Sequence, residues 1–341
     1  MKKTFIQTML LGAFGIILMS GCAQKIQIKA LNPAEVGEMA SKKTIAVSQF
    51  NKDDIGLSGK IESKIASHKL NKKKYFTVLS RKDLDKILQE QELQSSELMN
   101  ENTSSKIGKL IGAQAMVNGE IVNSNAKVGS YTEAREKCLS YYKDGSCAQY
   151  KHYRVTCKTL EASVSANINI VDVTTGTIIY GDNISKEYSA NSCKYGSAKV
   201  LSKSQVINRL TNSIANDFVR KITPNYIYFS VTLLEDIELD NVSDKINKDF
   251  ENALKYIKNK RYVKSEKILT SILDSLNGNS YVVAYDLGVV KEALGKLDEA
   301  KKMYKLADDK TTEPIKELDI ALIRIDTLIA KKIETNKQLN K

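Results

Sequence analysis

Glu161–Tyr188 reads "EASVSANINIVDVTTGTIIYGDNISKEY". From Leu160 to Val173 apolar or small residues alternate with polar ones at a period of two, the pattern of a half-buried strand. "TTG" at Thr174–Gly176 supplies a turn in which Gly176 is free to take positive φ, and "TIIYGDNISKEY" returns. The stretch predicts an antiparallel hairpin, and a turn centred on 174–176 makes the numbers of facing residues sum to about 350. Gly176 and Gly181 also form a G-x-x-x-x-G. Asp182 and Asn183 follow where a phosphate loop needs Lys and Ser or Thr, and no helical pattern begins there, so a nucleotide loop is excluded.

Upstream, "KTIAVSQF" at Lys43–Phe50 reads as a buried strand around Ile45, Ala46 and Val47. Ile55–Leu70 places apolar residues at 57, 61, 65 and 70, which is helical spacing, with a lone His68 that suits packing better than catalysis. Tyr75–Leu79 is a short strand. Ser80 follows as an N-cap with Asp83 three residues on, before a stripe of Leu84, Ile87, Leu88 and Leu93. Thr103–Gly112 predicts a second short helix and "AQAMVNGEIV" at 113–122 another strand. Downstream of the hairpin, Ser204–Ile222 is amphipathic, Pro224 ends it, and Tyr226–Leu234 predicts a last strand.

The amino terminus carries Lys2 and Lys3, an apolar run over Phe5–Met19, and then Leu18-Met19-Ser20-Gly21-Cys22. This ending resembles a bacterial lipobox, with Gly21-Cys22 as the cleaved bond and Cys22 as the acylated first residue of the mature chain. The apolar run is short against the roughly 20 residues that a bilayer-spanning helix needs. Ala23 and Gln24 offer no Asp as an inner-membrane retention signal, so the expectation is an outer-membrane anchor with the chain on the periplasmic face. Residues 22–42 are polar, carry Pro33, and read as a tether.

That compartment is oxidising, so disulfides persist there. Cys138, Cys147, Cys157 and Cys193 contain no C-x-x-C and have only His152 nearby, which excludes a regular zinc site. The net charge of +12 comes mostly from Lys spread along helices among Glu and Asp, without an aromatic-interleaved basic stripe, so no nucleic-acid partner is expected. No Ser lies in a nucleophile elbow and both His are isolated. Neither an enzyme, a metal nor a cofactor is indicated.

Beyond about residue 240 only helical patterns remain. "SYVVAYDLGVVKEALGKLDEAKKMYKLADD" at 280–309 resembles a tetratricopeptide repeat through Leu287, Gly288, Gly295, Ala300, Tyr304 and Ala307, which let two antiparallel helices pack closely. Ala253, Tyr256, Ser265 and Leu269 form a weaker copy some thirty-five residues earlier. A capping helix follows Pro314. This framework is expected to present a surface to protein partners.

The ordered series "TIAVSQF", "YFTVLSRKDLDKILQEQEL", "SSKIGKLIGAQAMVNGEIV" and "ANINIVDVTTGTII" resembles the CsgG family of curli-type assembly and transport lipoproteins. Arg81, Leu88-Gln89-Glu90-Gln91, Gly108, Gly112-Ala113, Gly119 and Thr175-Gly176 carry the resemblance. It implies an α/β (α+β) domain over 43–239, a small sheet flanked by helices, able to form homo-oligomeric rings, followed by an all-α tetratricopeptide-like domain over 240–341. In pore-forming members two strand pairs leave the core for a membrane barrel. By position they would arise between Val122 and Leu160 and between Tyr188 and Val206. Here "YTEAREKC", "YKHYRVTC" and "SANSCKYGSAKVLSKS" are polar on both faces, whereas a lipid-facing strand needs every second side chain apolar. The loop "NKDDIGLSG" also lacks the aromatic and Asn cluster of the family's channel.

The numbering rule of the hairpin then applies to the cysteines. Cys157 and Cys193 satisfy it and should face each other, and Cys138 and Cys147 bracket the turn signal "KDG". Residues 125–160 are thus expected to form a disulfide-bearing insertion in place of a barrel strand pair. The leading functional expectation is an outer-membrane lipoprotein acting as a periplasmic assembly or scaffold component. The alternatives are a curli-type secretion channel subunit and an activator of a peptidoglycan synthase.

Overall fold

A computed structural model describes residues 24–194 and 201–340. The leader 1–21 and Cys22 lie outside the described residues. In chain order the elements are β1 (Lys25–Asn32), β2 (Thr44–Val47), α1 (Leu57–Ser67), β3 (Lys69–Leu70), β4 (Lys73–Lys74), β5 (Thr77–Val78), α2 (Arg81–Glu90), α3 (Glu101–Ile111), β6 (Ala115–Tyr141), β7 (Cys147–Asp172), β8 (Ile178–Cys193), α4 (Lys203–Ile222), β9 (Asn225–Thr232), α5 (Asp244–Lys258), α6 (Tyr262–Ser275), α7 (Tyr281–Ala293), α8 (Leu297–Asp308) and α9 (Lys316–Leu339). The described residues divide into two compact units, one of 24–30 with 228–329, the other of 31–194 and 201–227 with 330–340.

The second of these holds a five-stranded mixed sheet in the order β5-β2-β6-β7-β8. β2 runs parallel to β5 and β6, and β7 is antiparallel to both its neighbours. Because side chains alternate along a strand, the two faces of β2 feed two cores. Ile45 and Val47 join Leu57, Ile61, Leu210, Ile214 and Phe218 of α1 and α4. Ala46 joins Leu84, Leu98, Ile107 and Met116 on the other side. The sheet is therefore sandwiched between helices, the α/β architecture expected.

The hairpin of β7 and β8 has the anticipated register. Leu160 faces Ala190, Ile168 faces Asp182 and Ile170 faces Tyr180, with a single slip next to the turn, between Ile170 and Val171. Gly176 has φ +73°. Gly119 answers a different need: a Cβ there would lie 2.6 Å from Phe50 Cε2 and 2.7 Å from the backbone oxygen of Asn167.

Several expectations need correction. The span 22–42 is not simply a tether, since Lys25–Asn32 is a strand that pairs with β9. Ile26 and Ile28 alternate with polar neighbours, and burying both, at 6% and 1% exposure, is what orders it. The boundary near residue 240 lies instead at Tyr228, so β9 belongs mostly with the helices. Residues 125–160 are not a separate insertion but the unbroken continuation of β6 and β7. Ser80 stands at the N-cap of α2, but its side chain makes no capping hydrogen bond.

In the other unit, α5 with α6 and α7 with α8 form consecutive helix pairs, and α9 follows. Their core includes Ala253, Leu269, Val283, Tyr285, Ala300 and Tyr304, with Ile26, Ile28, Val231 and Leu233 from the strands and Leu318, Ala321 and Ile325 from α9.

Candidate functional site

β6 spans 27 residues and β7 spans 26, roughly 90 Å at about 3.3 Å per residue. Only the first part of β6 and the last part of β7 lie in the sheet core, and the rest is an arm. From Leu160 to Ile170 every even-numbered residue of β7 is buried on the face where α4 packs. Beyond Leu160 that pattern stops. Val155 and Cys157, on the opposite face, are the last buried positions, at 2% and 0% exposure.

The outer arm is charged on both faces. Glu133, Arg135, Glu136 and Lys137 on β6 face Val155, Tyr153, His152 and Lys151 on β7. Glu136 Oε1 lies 3.0 Å from His152 Nδ1, and Glu133 Oε1 lies 3.0 Å from Arg135 Nε. Exposed pairs of this kind contribute little stability, so the ladder and the disulfides hold the arm.

Cys138 and Cys147 are bonded, with Cα atoms 5.8 Å apart, and close the tip. The turn inside them is fixed by Tyr142 N–H donating to Ser146 O at 2.8 Å and by Asp144 Oδ1 accepting from Ser146 N–H and Oγ–H at 2.9 and 2.7 Å. Those bonds from Ser146 hold the Asp144 carboxyl below its ordinary pKa. Cys157 and Cys193 are register partners and are also bonded, Cα to Cα 3.8 Å. Glu133 Oε2 lies 3.7 Å from Cys157 Sγ and 3.5 Å from Cys193 Sγ. These three side chains are the cluster among the described residues that could gather metal ligands. A disulfide sulfur lacks the thiolate that metals bind, so the oxidised arm offers such an ion only Glu133.

β8 forms one edge of the sheet. β2 pairs only with Ala115–Val117 of β6, with one further bridge from Asn51 to Glu120, so beyond it β6 is an edge as well. Among the described residues the arm is three-stranded up to Cys157 and Cys193 and two-stranded beyond, bounded by two long strand edges of the kind that template pairing with other chains.

Arg81, one of the residues carrying the resemblance, ties the loop after β2 to α1 and α2. Its guanidinium donates to Gln49 Oε1 at 2.8 Å and Ser58 Oγ at 3.1 Å and sits 2.8 Å from Glu62 Oε2. Ser58 donates to Asp53, whose carboxylate also caps α1 through Leu57 N–H and Ser58 N–H. This network was invisible in the sequence because its members are four to thirty-two positions apart. His68 meets the Pro224 carbonyl at 3.2 Å and the edge of Tyr75, and burial lowers its pKa. It is packed, and it lies apart from the exposed His152.

In the helical unit the structure places Leu287, Gly288, Ala300, Tyr304 and Ala307 inside, and Gly295 in the turn after α7 with φ +76°. Tyr304 packs against Gly288, and its hydroxyl donates to Glu292 Oε2. Glu292 is fully buried and held by Arg324 Nε at 2.8 Å and Nη2 at 2.9 Å. Burial, with the Glu292 carboxylate beside it, raises the Tyr304 pKa well above the ordinary value. The earlier copy is internal at Ala253, Ser265 and Leu269, with Ser265 Oγ donating to Ala253 O. Tyr256 instead turns outward. The repeat residues are thus internal scaffold.

A comparison with curated proteins finds no match. Among solved structures the chain is similar to the LpoB C-terminal domain from Salmonella enterica, at 12% identity, covering 45% of this chain and 95% of that one with TM-score 0.27. It is similar to lipoprotein GNA1162 from Neisseria meningitidis, at 12% identity, 53% and 99% coverage and TM-score 0.29. It is also similar to the PelC dodecamer from Paraburkholderia phytofirmans, at 12% identity, 59% and 98% coverage and TM-score 0.24. At TM-scores this low the likenesses carry no functional weight. The family model described as curli production assembly/transport component CsgG matches residues 13–265, most of the sequence. The chain belongs to the CsgG family.

Proposed function

We propose that the protein is an outer-membrane lipoprotein, anchored through Cys22 and facing the periplasm, that acts as an assembly or scaffold component of an envelope or secretion machine. Its arm edges pair with neighbouring copies in a ring, and its helical repeats dock protein partners. The observation that carries this reading is the arm: two long strand edges available for pairing, on a ladder charged on both faces.

The same observation weighs against a pore. A barrel strand needs about 9 to 11 residues with one face apolar, and both faces of the outer arm carry Glu, Arg, Lys or His. A second strand pair would have to fit between Tyr188 and Val206. Those 17 intervening residues are too few for two spanning strands of about 9 to 11 residues each and the turn between them.

Electron microscopy of detergent-extracted protein tests the proposal. Rings without a membrane-spanning barrel support it, whereas a ring with such a barrel, or channel conductance of the lipidated protein in liposomes, refutes it. Cys22→Ser should abolish lipid incorporation and release the chain from membranes.

A further inference from the structure

With the repeat framework internal, the helical unit must bind through its surface, and one part of that surface is chemically distinctive. Lys258, Lys260, Arg261, Lys264 and Lys267 are all exposed around the turn from α5 to α6. The carboxylates nearest in sequence are already engaged, Glu251 with Lys255 at 3.5 Å and Glu266 with both Lys291 and Lys296 at 2.9 Å. Among the described residues none of the five cations forms an ion pair.

Four of them ring a groove of about 560 Å³ that is also lined by Tyr262, Val263 and Leu294. Val263 is 59% exposed, whereas Tyr262 and Leu294 are half-buried within it. Arg261 and Lys264 both lie over the ring of Tyr256, at 4.8 and 4.4 Å from its centroid, which holds the two cations in place. Lys264 sits in the first turn of α6, where the helix dipole already disfavours positive charge and no acidic residue compensates. An uncompensated cationic cluster around an apolar floor is complementary to a ligand with carboxylates flanking an apolar side chain.

We propose that this groove docks an acidic peptide segment of a protein partner, with carboxylates on Arg261, Lys264 and Lys267 and an apolar side chain against Val263 and Leu294. The inference rests on the reading of the helical unit as the partner-binding part of the chain. Half-buried Tyr262 and Leu294 favour a peptide over an anionic lipid surface, because a planar headgroup layer reaches the exposed cations and Val263 but not these two side chains.

The test is fluorescence anisotropy on the full chain with a dye-labelled Glu-rich peptide carrying one Leu, and with its Gln-for-Glu counterpart. The Glu peptide should bind and the Gln peptide should not, and binding should weaken as salt rises. R261E/K264E should weaken it by about tenfold or more. K106E/K109E, the same charge change at exposed positions on α3, should leave it unaltered. V263S, which keeps every charge, should weaken it by a smaller factor.

No binding of the Glu peptide, equal binding by R261E/K264E, or binding to phosphatidylglycerol vesicles without peptide binding would each overturn the proposal. Unchanged melting curves for the variants exclude misfolding as the cause of any loss. None of these outcomes bears on whether microscopy shows rings, so failure here is distinguishable from failure of the scaffold reading.

Discussion

Gly288→Ala tests whether close packing of α7 on α8 organises the helical unit. The added Cβ would lie 2.6 Å from Tyr304 Cε1, 2.7 Å from Cδ1 and 3.2 Å from Cζ, where carbon pairs prefer about 3.5 to 4.0 Å. The ring would have to retreat by roughly 1 Å. Its hydroxyl is tied to Glu292, which Arg324 holds in turn, so the ring cannot move freely. Overpacking costs about 1 to 3 kcal/mol, and loosening a hydrogen bond to a buried carboxylate adds about 1.5 to 3 kcal/mol if it breaks. Helix propensity returns about 1 kcal/mol to Ala. The expected net loss is about 2 kcal/mol, a fall in melting temperature on the order of 10 °C for a unit of this size. Calorimetry of the full chain reads it, with Gly59→Ala in α1 as comparison. There a Cβ meets nothing within 4 Å, and the change should stabilise by about 0.5 to 1 kcal/mol. In a Tyr304→Phe background the hydroxyl tie is gone and Gly288→Ala should cost less. An unchanged or raised melting temperature for Gly288→Ala would refute the packing argument, and an equal cost in both backgrounds would refute the role of the tie.

Further outcomes follow from the disulfides, a buried acid and the discontinuous units. Removing Cys157–Cys193, with a separation of 36 residues, should destabilise the arm more than removing Cys138–Cys147, with a separation of 9. Chain entropy gives about 3.8 against 2.6 kcal/mol; urea titration of the double Ala variants measures the difference, and a non-reducing map joining Cys138 to Cys193 would contradict both pairings. Asp286 is wholly buried, and desolvation raises its pKa well above 3.8 despite the hydrogen bond from Leu234 N–H to Oδ1. A carboxyl raised in the folded state contributes its stability below the unfolded pKa and loses it as pH rises through the folded one. The contribution of Asp286 should therefore fall from about pH 4 upward, and Asp286→Asn should remove that fall and stabilise the helical unit at pH 7. Equal slopes for the two proteins in pH-dependent unfolding would count against this. A fragment of residues 240–341 lacks Ile26, Ile28, Val231 and Leu233 of the core, and its circular dichroism should show no cooperative melt, whereas the full chain should.

The fold was legible where a local signal sufficed. Gly176 and the alternation around it carried the hairpin register as far as Cys157 and Cys193, some twenty positions from the turn. β1 escaped because its partner lies two hundred residues away, although Ile26, Ile28 and Ala30 alternate in "KIQIKALN". The reach of β6 to Tyr141 escaped because the outer arm is exposed on both faces, and a strand that buries neither face has no period to detect. Asp286 was hidden inside an apolar helix stripe, and the cations around α6 had read only as solvated charge until the engaged carboxylates could be told from the absent ones.

The pairing of β1 with β9 also sets the order in which the chain can be built. Gln27 and Ser230, whose side chains are hydrogen-bonded, are 203 positions apart. β1 therefore stays unpaired until the residues up to Thr232 have followed it into the compartment where the chain folds. Until then Ile26 and Ile28 lack Val231 and Leu233, and the helical unit cannot close its core. Its completion is a late event in folding.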